Sequence, residues 1–363
     1  MASTQWVQLP FALVTPGDVL AAGITLPIIC LAVVAARFYV RVMQKAAPGL
    51  DDWCILVGAF FIVSLGAAFI TGERLGVMGY PTPIPVGTNA TEAYGLFIDA
   101  YTTLAKLQFA IQFLMAFAYA FVKASIVLFC RRIFISHRGS AFDWASRIVI
   151  ALIVLWSAGF LIGGLIFGCG KNVGLHWAPL QAIEVAGCDV VTPEIALVIS
   201  DLILDLIIIV LPLPSIWGLN MSSHRKVAIT GIFLVGLTSI AASAARAAIY
   251  LVTLYAGYGA GYDIDRTATT LLWWSMLEIS LAAIAACLPT LGFLARDARF
   301  KKFFTSLRSM SNLSSSLRLR KSTSDRSHDP TKESMDSVYN VPVHPSQKIA
   351  RESRAEMGVD AES

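Results

Sequence analysis

The stretch "APGLDDWCILVGAFFIVSLGAAFIT", residues 47–71, sets two carboxylates at the start of an apolar run that extends over 52–72. A helix that crosses the roughly 30 Å hydrocarbon core of a bilayer needs about 20 such residues, so the run predicts a membrane-spanning helix. Asp51 and Asp52 would cap this helix and face its positive dipole end, with Trp53 in the membrane interface. A contact with a cytosolic partner is the alternative role for the two carboxylates.

The whole chain has the same apolar character. Its 363 residues are 56% hydrophobic and only 14% charged, with a mean hydropathy of +0.68, whereas soluble proteins carry about 25% charged residues. The net charge of +4 is too small to indicate nucleic acid as a partner. Seven runs are long enough to span the bilayer: 18–42, 52–72, 100–130, 147–168, 190–214, 227–255 and 268–294. The predicted fold class is therefore all-α, a polytopic membrane protein with a seven-transmembrane helix bundle in contact with lipid.

The Lys and Arg residues predict the orientation of this bundle. They concentrate in alternate connections, beginning with 37–50 and 131–147, and they recur where the tail begins. Because basic loops stay on the cytosolic side, we expect the N-terminus outside and the C-terminus in the cytosol. The predicted regions are a short extracellular N-terminus at 1–17, the membrane domain at 18–294, an amphipathic cytosolic helix at 295–310 and a disordered Ser-rich tail at 311–363.

Two features of the predicted outer loops agree with this orientation. Asn89 begins an Asn-Ala-Thr glycosylation sequon in the first outer loop. Cys169 and Cys188 both fall in the second outer loop, which faces the oxidising side of the membrane. We therefore expect a glycan on Asn89 and a disulfide between the two cysteines.

Four motifs carry a family resemblance. "DDW" opens the second span, "VKASIVLFCRRIF" at 122–134 ends the third with Arg131 and Arg132, and "LPLPSIW" at 211–217 contains Pro212 and Pro214. "LEISLAAIAACLPTL" at 277–291 contains Pro289. In this order the motifs resemble the fungal rhodopsin-like family of integral membrane proteins, over about residues 15–300. The resemblance implies seven helices and includes surface-sensing, receptor-like proteins; some members are encoded beside biosynthetic genes.

Several polar residues fall inside the predicted spans, where ionisable groups are functional candidates. Asp201 and Asp205 are four residues apart and share a helix face. The other candidates for a polar core or ligand site are Gln108, Gln112, Lys123, Arg246 and Glu278. These residues could form a network that only holds the helices together, line a polar binding cavity or switch, or act as a proton relay or catalytic acid.

Two functions remain open for such a bundle. The first is a plasma-membrane receptor that senses a lipophilic or surface-derived ligand, moves helix ends at kinks formed by Pro212, Pro214 and Pro289, and signals to a cytosolic protein. The second is a membrane-embedded cyclase or isomerase that acts on a lipophilic intermediate of secondary metabolism. The seventh span lacks the Lys that retinal requires, and no His, Cys and Asp residues stand at metal-ligand spacing. We therefore expect neither a cofactor nor a metal.

Overall fold

The computed structural model describes nine segments of the chain: 11–82, 99–134, 139–166, 168–170, 172–178, 180–188, 191–214, 223–256 and 263–291. The predictions for Asn89, for the amphipathic segment 295–310 and for the tail 311–363 lie outside these residues.

Seven long helices make up most of the described segments, in which no strand occurs. They are α1 (Pro16–Met43), α2 (Leu50–Arg74), α3 (Asp99–Phe134), α4 (Ala141–Ala158), α5 (Val191–Val210), α6 (Ser223–Ala256) and α7 (Ile264–Leu291). A π-helical segment, Gly159–Ile166, continues α4, and two short helices, Val173–Trp177 and Leu180–Val185, follow it. The all-α prediction is confirmed, with one long helix in each predicted run.

Six of these helices contain stretches that are long and apolar enough to cross a membrane, as judged from the described residues. The exception is α5, which has 20 residues but carries three carboxylates, on Glu194, Asp201 and Asp205. Charged side chains in hydrocarbon are costly unless they pair with one another. The crossing of the membrane by α5 therefore stays a prediction that depends on where these carboxylates lie.

Local hydrogen bonds explain where the helices begin. The Thr15 hydroxyl accepts from the backbone N–H of Asp18, and the Asp18 carboxylate accepts from that of Thr15, which forms a capping box at the start of α1. At α4, the N–H of Asp143 donates to the Ser140 hydroxyl. This cap starts α4 at Ala141, earlier than the predicted residue 147, because capped polar residues extend the helix beyond its apolar run.

The apolar core is distributed unevenly. Its largest cluster of buried side chains draws on α1, α2, α3 and α7, with Ile62, Phe69, Ile111 and Met276 among its members. Two smaller clusters pack α5 against α3 and α4, and α5 against α6. Hydrophobic packing therefore secures one side of the bundle far more extensively than the side that contains α5.

Polar contacts between distant segments reinforce the larger side. The N–H of Val14, just before α1, donates to the Thr270 hydroxyl of α7 at 3.1 Å. The Trp273 indole donates to the carbonyl of Asp18 at 3.2 Å. These bonds attach the beginning of α1 to α7, so the first and last long helices are neighbours.

The helical conformation is interrupted after α5, where two prolines lie. Because α5 ends at Val210, Pro212 and Pro214 lie after this helix rather than inside it. A proline disfavours the helical conformation of the residue before it, so this segment ends the helix. Pro212 lies in the turn after α5, Pro214 lies in a helical stretch that begins at residue 213, and Pro289 lies within α7. Movement of helix ends at these three prolines stays a prediction.

Glycines bring α1 and α2 into close contact. A Cβ atom built on Gly66 would lie 2.5 Å from Cγ of Pro27 and 2.6 Å from the carbonyl oxygen of Gly23. Small residues allow this approach between membrane helices, since hydrocarbon provides no hydrophobic drive for helix association.

We expect Gly66→Ala to lower the free energy of unfolding by roughly 1–3 kcal/mol, because the backbone of α1 must move to admit the methyl group. Denaturant unfolding in lipid–detergent mixtures measures this loss. Gly163→Ala is the matched control, since nothing lies within 4 Å of a Cβ atom at that position. Equal stability of the two variants would contradict the close contact.

Candidate functional site

A buried group of seven side chains joins four helices, and we name it the polar core. Its members are Tyr119 and Lys123 of α3, Asp201 and Asp205 of α5, Ser243 and Arg246 of α6, and Glu278 of α7. The spacing of four residues in α3 and in α5, and of three in α6, turns each pair toward one helix face. The structure thus brings together five of the predicted polar residues: Lys123, Asp201, Asp205, Arg246 and Glu278.

Lys123 lies at the centre of the polar core. Its Nζ atom is 2.7 Å from Oδ1 of Asp201 and 2.5 Å from Oδ1 of Asp205. The ammonium group also lies 5.1 Å from the ring centroid of Tyr119 and 5.7 Å from that of Trp156, within the range of cation–π attraction. One cation of α3 therefore pairs with both aspartates of α5.

Arg246 supplies the second cation. Its Nη2 atom is 2.6 Å from Oδ2 of Asp201 and 3.4 Å from Oε2 of Glu278. Its Nη1 atom donates to the Ser275 hydroxyl at 3.3 Å. Asp201 consequently has one oxygen on each cation, which ties α5 to both α3 and α6.

Glu278 connects α7 to the same network. The Tyr119 hydroxyl donates to Oε2 of Glu278 at 3.0 Å. The Ser243 hydroxyl lies 2.5 Å from Oε1 of Glu278 and 2.9 Å from Oδ2 of Asp205. The polar core therefore combines three carboxyl groups with two cations in a nearly dry interior.

The three carboxyl groups are close enough to share a ligand. One oxygen each from Asp201, Asp205 and Glu278 lies within 4.8 Å of the others, a spacing that could hold a metal ion. Lys123 and Arg246 already approach these groups, so a metal ion would have to displace an ammonium or guanidinium group. The arrangement is therefore better suited to ion pairing and proton exchange than to metal coordination.

The two predicted glutamines lie further along α3, toward its beginning. The Gln112 side-chain amide donates to the Glu194 carboxylate of α5. Gln108 is half-buried one turn before Gln112, and no contact between described residues joins it to the polar core. Glu194 was not among the sequence candidates, since its place near the start of α5 suggested no role.

A small cavity reaches the polar core between α3, α5, α6 and α7. It has a volume of about 60 Å³, and Lys123, Asp205 and Ser239 provide its polar lining. The remaining wall is apolar and includes Ile126, Cys130, Ile208, Ile209, Pro212, Gly236, Ile240, Ala282 and Ala285. Drug-sized ligands need about 300–1,000 Å³, so this cavity accommodates a small group or part of a chain.

A second buried group of charges, which we name the basic-end cluster, comprises Arg37, Arg41, Asp51, Asp52 and Arg132. Arg37 is fully buried, with its Nη2 atom 2.6 Å from Oδ2 of Asp51 and its Nε atom 2.7 Å from Oδ1 of Asp52. It also donates to the carbonyl of Ala286 at 2.5 Å. One arginine thus links α1, α2 and α7.

Arg41 and Arg132 complete the basic-end cluster. Arg41 lies 3.2 Å from Asp51 and 3.1 Å from Asp52. Arg132 of α3 makes longer contacts to the same carboxylates, at 3.2 and 3.4 Å, and its side chain is 37% exposed. The cluster has two carboxylates and three guanidinium groups, so its outer edge remains positively charged.

The structure revises the role expected for the two aspartates. Asp52 does accept the N–H of Gly49 at the start of α2, as expected for a capping carboxylate, and Trp53 is 53% exposed. The structure adds partners that the sequence analysis did not assign to these aspartates, because it counted Arg37 and Arg41 only among the basic residues that set the orientation. Arg37 and Arg41 are four residues apart and lie inside α1. That spacing, opposite two adjacent acids, was the signal available in the sequence.

Two further predictions concern residues at the ends of the bundle. The disulfide between Cys169 and Cys188 is present, which confirms the expected pairing. Arg131, which follows the motif of the third span, is 2.7 Å from Asp143 of α4 and lies outside the basic-end cluster. The adjacent arginines at 131 and 132 therefore connect α3 to two different helices.

Comparisons with known proteins add a family match to this geometry. A family model described as the fungal rhodopsin domain matches residues 36–297. A polyenoic acids biosynthesis gene cluster protein of Metarhizium anisopliae is 26% identical over 70% of this chain and 67% of its own length. A SAT4 family membrane protein of Emericella nidulans is 26% identical over 67% of this chain and 57% of its own length. A phomoidride biosynthesis cluster protein of a fungal species is 23% identical over 75% and 85%, respectively.

Proposed function

Because the chain belongs to the fungal rhodopsin domain family, we propose that this multi-pass membrane protein is a receptor-like sensor at the plasma membrane. An extracellular or surface-derived ligand of small, lipophilic character would act on the polar core, and a cytosolic signalling protein would respond. The observation that carries this proposal is that one network of ion pairs joins α3, α5, α6 and α7 beside a cavity.

The proposal includes an orientation, with the N-terminus and the disulfide outside and the C-terminus in the cytosol. The distribution of basic residues supports it, since Arg37, Arg41, Arg131 and Arg132 lie toward the end of the bundle opposite the disulfide. The sequon at Asn89 is then available for glycosylation, and the segments 295–310 and 311–363 are available to cytosolic partners. An epitope after Ser363 that antibody reaches on intact cells would contradict this orientation.

The polar core suits a switch because its charges have no alternative partners in hydrocarbon. A ligand shifts an equilibrium only by as much as it binds one arrangement better than another. A polar group in the cavity would compete for Lys123 or Asp205, and either competition alters the contact between α3 and α5. Movement of α5 and α6 would then reach the connection at 215–222.

Complementation of a gene-deletion strain tests this function. We expect Asp205→Asn, and replacement of residues 218–222 by Gly and Ser, each to abolish the response of the strain to a surface or chemical cue. Arg147→Gln is the matched control, since this arginine is 51% exposed and outside the polar core. Retention of the full response by both test variants at normal membrane levels would contradict a sensor.

A second candidate function is a membrane-embedded isomerase or cyclase. The observation that favours it is the position of Asp205 in a largely apolar cavity, together with two relatives that are named for biosynthetic clusters. A carboxylic acid there could protonate one carbon of a lipophilic intermediate while a base accepts a proton from another carbon. Return of that proton from the base to Asp205 would then restore the enzyme.

Metabolite profiling of the same strains separates the two functions. If the protein is an enzyme, the strain that carries Asp205→Asn should accumulate a lipophilic precursor, whereas the strain that carries the 218–222 variant should have a normal metabolite profile. A sensor predicts loss of response in both variants without any accumulated precursor.

A further inference from the structure

We propose that the polar core holds one proton in excess of full ionisation, shared between Asp205 and Glu278 through the Ser243 hydroxyl. The packing of α5 against α6 and α7 would then depend on whether this proton is bound, independently of any ligand or signalling partner.

The Ser243 hydroxyl contacts two carboxyl groups but has only one hydrogen to donate. Its Oγ atom lies 2.9 Å from Oδ2 of Asp205 and 2.5 Å from Oε1 of Glu278. A hydroxyl has one hydrogen to donate, and an ionised carboxylate only accepts. Two ionised carboxylates would leave one of these short contacts without a hydrogen. A carboxyl hydrogen from Asp205 or Glu278 satisfies the second contact, with Ser243 accepting it.

The polar core contains more carboxyl groups than cations. Three carboxyl groups face two cations, so full ionisation would leave one uncompensated negative charge in the interior. A buried charge without a partner is expensive, and proteins neutralise such groups by protonation. One added proton brings the formal charge of the polar core to zero.

The surrounding groups assign this proton to the Ser243 side of the core. Asp201 also faces the Glu278 carboxyl, but its pairs with Lys123 at 2.7 Å and Arg246 at 2.6 Å stabilise its ionised form. The proton is therefore left to Glu278 and Asp205. On Glu278, Oε2 accepts from the Tyr119 hydroxyl of α3, which leaves Oε1 for the contact with Ser243. The remaining carboxylate on α5, that of Glu194, accepts from Gln112 and also interacts with the charge of Arg246, but its hydrogen bond is to Gln112 and not to Ser243.

Removal of the shared proton should loosen three helices. Asp205 and Glu278 would then both be negative on either side of a single hydroxyl, and like charges at that distance repel. The repulsion acts between α5 and α7, with α6 between them through Ser243. The proton therefore stabilises the contacts among these three helices.

Infrared difference spectroscopy on the full chain in lipid nanodiscs at neutral pH tests the proposal. We expect the carbonyl stretch of a protonated carboxylic acid in the wild type, shifted to lower frequency in D₂O. Asp205→Asn and Glu278→Gln should each remove or shift this band. Asp143→Asn should leave it unchanged, because Asp143 is paired with Arg131 and Arg147 away from the polar core.

Two results would overturn the shared proton. One is a wild-type spectrum without any carboxylic acid band, which requires no variant to fold. The other is a band that stays unchanged in both Asp205→Asn and Glu278→Gln. Because the measurement involves neither ligand nor downstream response, it can fail while the sensor proposal stands, and the reverse also holds.

Discussion

Replacement of Asp201 by alanine should lower the free energy of unfolding by about 3–5 kcal/mol, the cost of breaking a buried ion pair by removing one partner. Asp201 is fully buried and pairs with Lys123 at 2.7 Å and with Arg246 at 2.6 Å. The variant would leave Arg246 with its longer 3.4 Å ion pair to Glu278 and its hydrogen bond to Ser275. The loss is large because hydrocarbon offers the freed cations no water.

Denaturant unfolding in lipid–detergent mixtures measures the change, with folded yield in the membrane as a second readout. Arg147→Gln is the matched control, because Arg147 is 51% exposed, exposed ion pairs contribute about 0–1 kcal/mol, and Asp143 keeps Arg131 as a partner. Similar losses in the two variants would show that the polar core does not stabilise the bundle through these pairs.

Arg37→Met should be comparably damaging and lower the free energy of unfolding by about 3–5 kcal/mol, because it also removes one partner of a buried ion pair, near the end of α1. The side chain of Arg37 is fully buried and contacts both Asp51 and Asp52. Methionine would fill much of the space but leave two carboxylates with weaker partners. It would also remove the N–H group that donates to the Ala286 carbonyl, so this hydrogen bond between α1 and α7 would be lost.

A graded comparison within the basic-end cluster isolates this effect. Arg132 contacts the same two carboxylates at 3.2 and 3.4 Å but is 37% exposed, so Arg132→Gln should cost at most about 1 kcal/mol. The same unfolding assay applies to both variants. If Arg132→Gln proved as destabilising as Arg37→Met, burial would not be the cause of the difference.

The helices were readable from the sequence because each apolar run is long and its ends carry local signals. The runs fixed the number of long helices, while caps such as Ser140 moved the beginning of α4 beyond the apolar part. The end of α5 at Val210, before Pro212, was not evident from the sequence, because a proline near the end of an apolar run can either bend a helix or end it. Only the backbone distinguishes these outcomes.

The composition of the polar core was partly predictable, and its connections were not. Spacing identified the faces that carry Lys123, Asp201 and Asp205, since residues four apart lie on one side of a helix. A single sequence does not say which faces meet, so the bridging position of Ser243 and the two cations on Asp201 required the structure. Arg37 was missed for a different reason, because basic residues near the end of a span are ordinarily counted as part of a loop.

The uneven apolar core has a consequence for the history of this protein. Most buried apolar side chains belong to α1, α2, α3 and α7, whereas the cavity draws much of its wall from α5 and α6. Inherited changes in Ile208, Ile209 or Ile240 can therefore change the shape of the cavity while the larger apolar cluster is preserved. Descendants of one gene can thus diversify in the shape of this cavity without acquiring a new architecture.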